Sequence, residues 1–307
     1  MRPAVYILGF RGYEIFWFVR IMSRGAPLVF DAMMSPSTAL AEEGKAGLIG
    51  KLLAPIFFRL ERQMLMAADV ILTDTEAHAA LYVRRFAISR DKIVVLPVGA
   101  IEPNSPATSD AGSKPYAATE DFSVLFYGSM LPLHGVQVIL DAAQKLTDLP
   151  IRFDFVGGSA AQARRLRGGC VSRGLHRFTH RPWLALDQLV GEAIPNADLC
   201  LGGPFGGTPQ AGRVVTTKTV QALALGKAVI VGEGEEQSGF VDRFNCLIVP
   251  QADPGALAAA IRWAYDNRSE LPAIGKRGCD LYHEKLSVAI IAGRFCEVLD
   301  RLMKNDL

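Results

Sequence analysis

The chain has 307 residues, of which 50% are hydrophobic and 21% are charged, a composition typical of a globular protein with a well-filled core. The net charge of +2 is too small to indicate a nucleic-acid-binding protein. The five cysteines are odd in number and lack CxxC spacing, which argues for a reducing compartment and against a structural metal site.

The start of the sequence has no evident signal peptide, and no apolar stretch reaches the ~20 residues that a membrane-spanning helix needs. Two apolar segments with interleaved basic residues, 13–22 and 51–66, have two interpretations. Core-facing helices are the favoured one, and helices lying on an anionic membrane surface are the other. We therefore expect a cytoplasmic protein, with peripheral attachment to the inner membrane face as the alternative.

Strand-like apolar runs recur along the whole chain, separated by amphipathic segments such as 136–146 and 256–265. Because hydrophobicity within the runs is continuous rather than alternating, both faces of each strand are expected to be buried. The alternation of strands and helices predicts an α/β fold with parallel sheets. The predicted strands are 4–8, 28–31, 70–73, 93–97, 122–127, 151–156, 199–201, 228–232 and 246–249.

One segment, 102–121, is rich in Pro, Ser, Ala and acidic residues and has the composition of a linker. It predicts two Rossmann-like, doubly wound domains, 1–110 and 111–285. The last helix, 286–307, is expected to pack back toward the first domain. Ligands of such sheets bind at the carboxyl ends of the strands, which we expect to face a cleft between the domains.

The strands of the second predicted domain run into glycine-rich loops. Strand 122–127 ends at Gly128, and Gly135 lies where the next helix begins. Gly157 and Gly158 end the following strand. Backbone N–H groups at a helix start hold anionic oxygens, and glycine allows a ligand to approach the backbone closely. Each junction is weak evidence by itself, since any βα turn has this form.

Residues 211–250 combine a polar loop, an apolar helix predicted over 219–225 and a buried-type strand. The loop contains Arg213 and Lys218. A loop that brings cations to a helix N-terminus between parallel strands is a natural receptor for a phosphorylated ligand. The alternative interpretation is that both are solvent-facing loop cations.

The order of these elements resembles that of a GT-B glycosyltransferase of the retaining family 4 over nearly the whole chain. The last elements of that pattern stand here as QALALGKAVI (221–230), NCLIVP (245–250) and DPGALAAAIRWAYD (253–266). In the first half, AADVILTDTEAHA (67–79) and DKIVVLPVGA (91–100) also match. The resemblance implies a nucleotide-diphosphate sugar bound in the C-terminal domain and an acceptor in the N-terminal domain, with no metal and no further cofactor.

The chain departs from the family at the positions that usually hold the donor. Ser129 and His134 stand where the family often has an Arg and a Lys, and its E-x7-E pair falls on Arg213 and Gln221. The resemblance therefore implies that Lys218 and Arg213 supply the positive charge, while Gln221 contacts a hydroxyl without charge assistance. The other donor-binding residues that it implies are Gly128, Gly135, Gly157, Gly158, Phe205, Gly206 and Gly207.

Four side chains of the first domain are candidates for the acceptor side. Arg11 and Glu14 follow the first strand, in GFRGYE, and Asp31 ends the second strand. His78 lies at a predicted helix start, where a satisfied structural histidine is the alternative explanation.

The implied function is sugar transfer to a glycan or lipid-linked acceptor with retention, by positioning and electrostatic stabilisation of the leaving diphosphate. Family members have further strand–helix units before the first strand found here, on the order of 60 residues. A partner-dependent, donor-binding subunit is therefore a second interpretation. A nucleotide-sugar epimerase of the same architecture is a third, and it would need acid–base carboxylates in the cleft.

Overall fold

The computed structural model describes residues 3–42, 47–102, 121–236 and 238–304. They form two compact units. The first comprises the described residues of Met1–Pro97, Thr208–Val214 and Ala289–Leu307, and the second comprises those of Val98–Gly207 and Val215–Val288. The predicted domain boundary near residue 110 lies outside the described residues, as does most of the predicted linker.

The first unit is built on a four-stranded parallel sheet in the order β1–β2–β3–β4. Its register places Tyr6 opposite Leu28, Val29 opposite Val70 and Ile71 opposite Ile93. The strands are β1 Tyr6–Leu8, β2 Leu28–Asp31, β3 Val70–Thr73 and β4 Ile93–Val95. The helices between them are α1 Phe16–Ser23, α2 Pro36–Glu42, α3 Gly47–Ala67 and α4 Glu76–Phe86.

Helices cover both faces of this sheet, as the continuous hydrophobicity of its strands requires. On one face, Phe16 of α1, Leu65 of α3 and Phe86 of α4 are buried in one cluster with Phe30 and Ile71. On the other face, the C-terminal helix (Val288–Met303) contributes Val298 and Leu302 to a cluster with Val29, Val70 and Leu72. Neighbouring strand residues point to opposite faces, so both clusters draw on the same strands.

The second unit is built on a six-stranded parallel sheet in the order β10–β9–β8–β5–β6–β7. The strands are β5 Phe122–Tyr127, β6 Ile151–Val156, β7 Phe178–Arg181, β8 Leu199–Leu201, β9 Val229–Gly232 and β10 Leu247–Val249. From β5 the chain winds outward to β7, and it then returns to place β8 on the other side of β5. The carboxyl ends of β5 and β8 are therefore a switch point, where open α/β sheets bind their ligands.

The helices of the second unit lie between these strands and after β10. The main ones are α5 Val136–Gln144, α6 Ala160–Ser172, α7 Leu186–Gln188, α8 Ile194–Asn196, α9 Thr217–Ala224, α10 Pro254–Asp266 and α11 Leu271–Leu281. None of the helices within the described ranges is long and apolar enough to cross a bilayer.

The predicted α/β class with parallel sheets is confirmed. Five strands have the predicted bounds in full and four are shorter by one or two residues at an end. The strand β7 was not predicted, because its sequence, FTHR, lies at a half-exposed sheet edge and lacks an apolar run. The helix predicted over 219–225 begins earlier, at Thr217, so Lys218 lies on the helix and not in the loop before it.

Candidate functional site

The loops that follow β5, β6 and β8 meet at the carboxyl edge of the second sheet, and glycine lets them approach one another. A Cβ added at Gly157 would collide with the carbonyl oxygen of Gly128. A Cβ added at Gly135 would lie 2.5 Å from the carbonyl carbon of Phe205, and Gly135 has a φ of 65°. The amide of Gly206 donates to the carbonyl of Leu133 at 2.9 Å. The predicted glycine loops therefore form one backbone-lined edge.

The N-terminus of α5 opens onto this edge. Its cap residue is Gly135, which offers no side chain to the first-turn amides. Uncapped amides at a helix start carry partial positive charge and bind anionic oxygens. A cavity of about 460 Å³ lies beside them, lined among others by Pro132, Gln137, Gln162 and Gly207. This cavity can hold a ligand with a negative group at its inner end.

Lys218 is a buried lysine of the second unit. It lies in the first turn of α9, and its side chain approaches Gly128 and His134. Its exposed fraction is 6%, and its Nζ lies 5.7 Å from the centre of the Phe126 ring. No carboxylate in the described part of the chain pairs with it, and burial is the only cause acting on its titration. A buried lysine without a counter-ion is costly unless a ligand supplies the negative charge.

Burial shapes the titration of this group and its neighbour. It lowers the pKa of Lys218 to about 7 and that of His134 to about 4, and the positive charge of Lys218 adds to the effect on His134. At neutral pH His134 is therefore a neutral imidazole, and its buried Nδ1 has no hydrogen-bond partner in the described ranges. The pair can present one cation and one neutral hydrogen-bonding group to an anion.

The lowered pKa of Lys218 predicts pH-dependent binding of a nucleotide sugar. The free protein loses the Lys218 proton as pH rises through about 7, whereas an anionic ligand retains it. Affinity for a nucleotide-diphosphate sugar should therefore fall above pH 7, with a limiting slope of about tenfold per pH unit. Isothermal titration calorimetry from pH 6 to pH 9 measures this slope. An affinity that does not change across this range would show that the ligand does not contact the ammonium of Lys218.

Threonine side chains hold the first turn of α9 in place. Thr216 is its N-cap and accepts from the amide of Thr219 at 3.2 Å, while its hydroxyl donates to the carbonyl of Gly202 at 2.7 Å. The turn that carries Lys218 is thus tied to the end of β8. Sequence reasoning passed over Thr216, although a threonine three residues before an apolar helical run is a recognisable N-cap signal.

Gln221, predicted to contact a hydroxyl of the donor, is buried and already bonded. Its Oε1 accepts from the amide of Ile101 at 2.9 Å, and its Nε2 donates to the carbonyl of the same residue at 2.9 Å. This pair fastens residue 101 to α9. The donor contact of Gln221 stays a prediction, and it requires the amide to exchange one of these partners.

Arg213 belongs to the first unit, whereas Lys218 belongs to the second. Its guanidinium donates to Glu42 at 2.9 Å, and Glu42 also accepts from Arg85 at 3.1 Å. The backbone carbonyl of Arg213 accepts from the hydroxyl of Thr75 at 2.6 Å. Glu42 thus balances part of the charge of Arg213, and the phosphate contact of this residue stays a prediction. Glu42 was not singled out from the sequence.

Replacing Glu42 by Gln should destabilise the first unit. Two guanidinium groups would lose their shared carboxylate, so we expect the free energy of unfolding to fall by roughly 1–2 kcal/mol. Glu76→Gln is the matched control, because the Arg90–Glu76 pair is exposed and such pairs contribute little. Denaturant unfolding of both variants measures the difference. Equal losses in the two variants would show that the contacts of Glu42 with Arg213 and Arg85 contribute no more stability than an exposed ion pair.

The acceptor-side candidates all lie at or after the carboxyl ends of strands in the first sheet, and two of the four are exposed. Asp31 ends β2, and burial raises the pKa of its carboxyl, with the nearby Asp74 carboxylate acting in the same direction. His78 is buried, and its Nδ1 bonds Asp74, which follows β3. A hydrogen-bonded, buried ring is what the alternative of a structural histidine predicts. The same bond fixes the orientation of the ring. Arg11 and Glu14 are exposed after β1, where Arg11 caps a short 3-10 helix, Gly12–Ile15, that contains Glu14.

Comparison with known proteins finds a family match over part of the chain. Residues 121–267 match the family described as glycosyl transferases group 1. Over this segment, a little under half of the chain, the sequence is similar to the group 1 glycosyltransferases. The matched segment contains the glycine loops, the cavity beside α5 and Lys218. None of the curated proteins matches the sequence.

Several solved structures share the fold of nearly the whole chain. Sucrose-phosphate synthase of Thermosynechococcus elongatus is 18% identical, with a TM-score of 0.76 over 98% of this chain and 74% of its own. HepE of Anabaena, solved with UDP and glucose, is 16% identical, with a TM-score of 0.73 over 97% and 77%. The pneumococcal O-GlcNAc transferase GtfA, solved with UDP and GlcNAc, is 16% identical, with a TM-score of 0.67 over 94% and 55%. At these identities the likeness establishes the GT-B fold and no substrate.

Residues 3–42, 47–102, 121–236 and 238–304 contain no group of three His, Cys, Asp or Glu side chains that could hold a metal ion.

Proposed function

We propose that this chain transfers a sugar from a nucleotide-diphosphate sugar to a glycan or lipid-linked acceptor, with retention of the anomeric configuration. The observation that carries the proposal is Lys218, a buried cation at the switch point of the second sheet that has no counter-ion among the described residues. A diphosphate is a ligand whose charge would balance it. The pathway that we propose is the synthesis of cell-surface polysaccharide or glycolipid.

The donor diphosphate would contact two positive features of the second unit. The ammonium of Lys218 is one, and the uncapped first turn of α5 is the other. His134 adds a neutral hydrogen-bonding group beside Lys218. UDP accompanies both HepE and GtfA in their solved structures, which supports a uridine nucleotide as the first donor to test.

In the proposed reaction, the bond between the anomeric carbon and the diphosphate oxygen breaks while the acceptor oxygen bonds to the same face of that carbon. The acceptor hydroxyl gives its proton to the departing diphosphate. Lys218 and the α5 amides stabilise the negative charge that develops on the leaving group. The protein's contribution is then mainly positioning and electrostatics.

A panel of UDP, GDP and ADP sugars tests the proposal by thermal stabilisation, followed by a transfer assay with the donor that binds. Ligand at ~100 times its dissociation constant adds roughly 2.7 kcal/mol of stability. Anomeric configuration of the product, read by NMR, tests retention. Binding without transfer would favour the partner-dependent subunit, and donor turnover without an acceptor would favour the epimerase. No binding by any sugar nucleotide would contradict all three.

Transfer is also expected to be independent of divalent metal. Because Lys218 and a helix N-terminus supply the positive charge, EDTA should leave the rate unchanged within about twofold. The measurement compares initial rates with EDTA, with Mg²⁺ and with Mn²⁺. A large loss in EDTA that Mn²⁺ restores would show that a metal neutralises the diphosphate instead.

A further inference from the structure

The described helices of the first unit expose a large amount of apolar surface that the proposed transfer reaction does not use. Helices α1 and α3 cover the same face of the first sheet, and their outer sides point away from it. On α1 the exposed apolar side chains are Trp17, Phe18, Ile21 and Met22. On α3 they include Leu48, Ile49, Leu52, Leu53, Ile56 and Phe57. We call these exposed side chains of α1 and α3 the apolar face.

The N-terminal half of α3 projects beyond the sheet. The helix has 21 residues and is therefore about 31 Å long, whereas β3 has 4 residues and spans only about 13 Å. It ends at Ala67, just before β3 begins, so its N-terminal half extends past the carboxyl edge of the sheet. The apolar face thus reaches the side on which α/β proteins bind their ligands.

In the N-terminal half of α3 the small residues are buried and the large apolar residues are exposed, which is the reverse of a helix on the surface of a water-soluble protein. In its N-terminal half the buried residues are the small Gly50 and Ala54, while the large Leu48 and Leu52 are exposed to 75% and 70%. Small residues at helix contacts and large apolar residues outside are typical of helices that contact lipid. In water the large side chains would instead lie at the contact.

The charges of α3 complement an anionic surface. Lys51 and Arg59 are its exposed charged residues, and its one acidic residue, Glu61, is buried and bonded to the amide of Ser37. Basic residues within an exposed apolar surface attract acidic lipid head groups. Glu14, before α1, is an exposed acidic neighbour.

We propose that the apolar face docks the first unit onto a bilayer that contains anionic phospholipid, with the outer side chains of α1 and α3 buried in its interfacial region. This docking involves residues of the first unit only, and it does not depend on the proposed sugar transfer. If both hold, the carboxyl edge of the first sheet lies beside the membrane, where a lipid-linked acceptor would be presented.

Vesicle co-sedimentation of the full chain tests this. We expect binding to vesicles of phosphatidylcholine and phosphatidylglycerol in equal parts, and much weaker binding to phosphatidylcholine alone. The double variant Leu52→Gln with Ile56→Gln should weaken binding by at least about tenfold, because two apolar side chains no longer enter the lipid. Lys51→Glu with Arg59→Glu should weaken it by at least about tenfold on anionic vesicles. Val171→Gln, at an exposed apolar site of the second unit, is the control and should bind unchanged.

Trp17 provides a second readout on the other helix. Its fluorescence should shift to shorter wavelength when vesicles are added, and the shift should disappear in Trp17→Phe. The substituted positions are exposed, so the melting temperatures should stay unchanged. Absent vesicle binding, or equal binding by the apolar and control variants, would overturn the proposal. It would also be overturned if the chain instead formed a dimer that Leu52→Gln with Ile56→Gln dissociates, because the apolar face would then join two copies.

Discussion

Replacing Lys218 by Met should abolish nucleotide-sugar binding while making the unliganded protein more stable. The substitution removes a buried charge that no carboxylate in the described ranges balances, so the free energy of unfolding should rise by roughly 1–3 kcal/mol. The same change removes the cation that we assign to the diphosphate. Sugar transfer should therefore fall by at least about a hundredfold, as expected for the loss of one preorganised electrostatic contact.

The stability gain has a predictable pH dependence. The pKa of Lys218 is lower in the folded chain than the 10.5 of an unperturbed lysine, so the unfolded chain binds the extra proton between about 7 and 10.5. The stability of the wild-type protein therefore rises with pH across this window. The advantage of Lys218→Met should be largest below pH 7 and should shrink as pH increases.

Two matched variants separate charge from packing. Lys276→Met removes a lysine whose side chain is 76% exposed, and it should change neither stability nor binding appreciably. Lys218→Arg keeps the charge at every pH used, so it should remove the pH slope of binding even where its size weakens the affinity. Thermal unfolding with and without UDP-glucose measures all three. Unchanged ligand-induced stabilisation in Lys218→Met would place Lys218 outside the donor site.

Replacing Gly135 by Ala should damage both the fold of the second unit and donor binding. Its φ of 65° disfavours a side chain, and the new Cβ would meet the backbone of Phe205 and Gly206. Left-handed strain costs about 1–2 kcal/mol, and the displacement of a packed loop costs typically 1–3 kcal/mol more. We expect a loss of roughly 2–5 kcal/mol in the free energy of unfolding.

Gly174→Ala is a close control for this prediction. Gly174 has a similar φ, of 68°, but no atom lies within 4 Å of the added Cβ. It should therefore show the backbone strain without the collision. Denaturant unfolding gives the stability of both variants, and calorimetry gives the affinity of Gly135→Ala for UDP-glucose. Equal destabilisation by the two substitutions would mean that the loops after β5 and β8 do not depend on their close approach.

The fold was predictable because its signals are local. Buried parallel strands such as β5 and β6 are short apolar runs that end at glycine, and these runs are visible in the sequence. The exception is β7, whose half-exposed edge position requires no apolar run. The order of the elements from 221 to 266 carried the family resemblance, and the group 1 match covers this stretch.

The candidate site was only partly predictable, because the state of a charged side chain depends on distant partners. Arg213 and Lys218 look alike in the sequence. Arg213 meets Glu42, 171 residues earlier in the chain, whereas Lys218 is buried with no such partner in the described ranges. Gln221 is bonded to Ile101, 120 residues away. No local pattern records these pairings.

The sequence by itself determined the α/β architecture, the glycine loops and the family resemblance, since hydrophobic period and turn chemistry act over a few neighbouring residues. Only the tertiary structure decided that Lys218, unlike Arg213, lacks a carboxylate partner among the described residues, that it lies within α9, and which side of α3 faces outward. Those properties follow from burial and from contacts between distant segments. They determine where a diphosphate and a membrane surface are expected to bind.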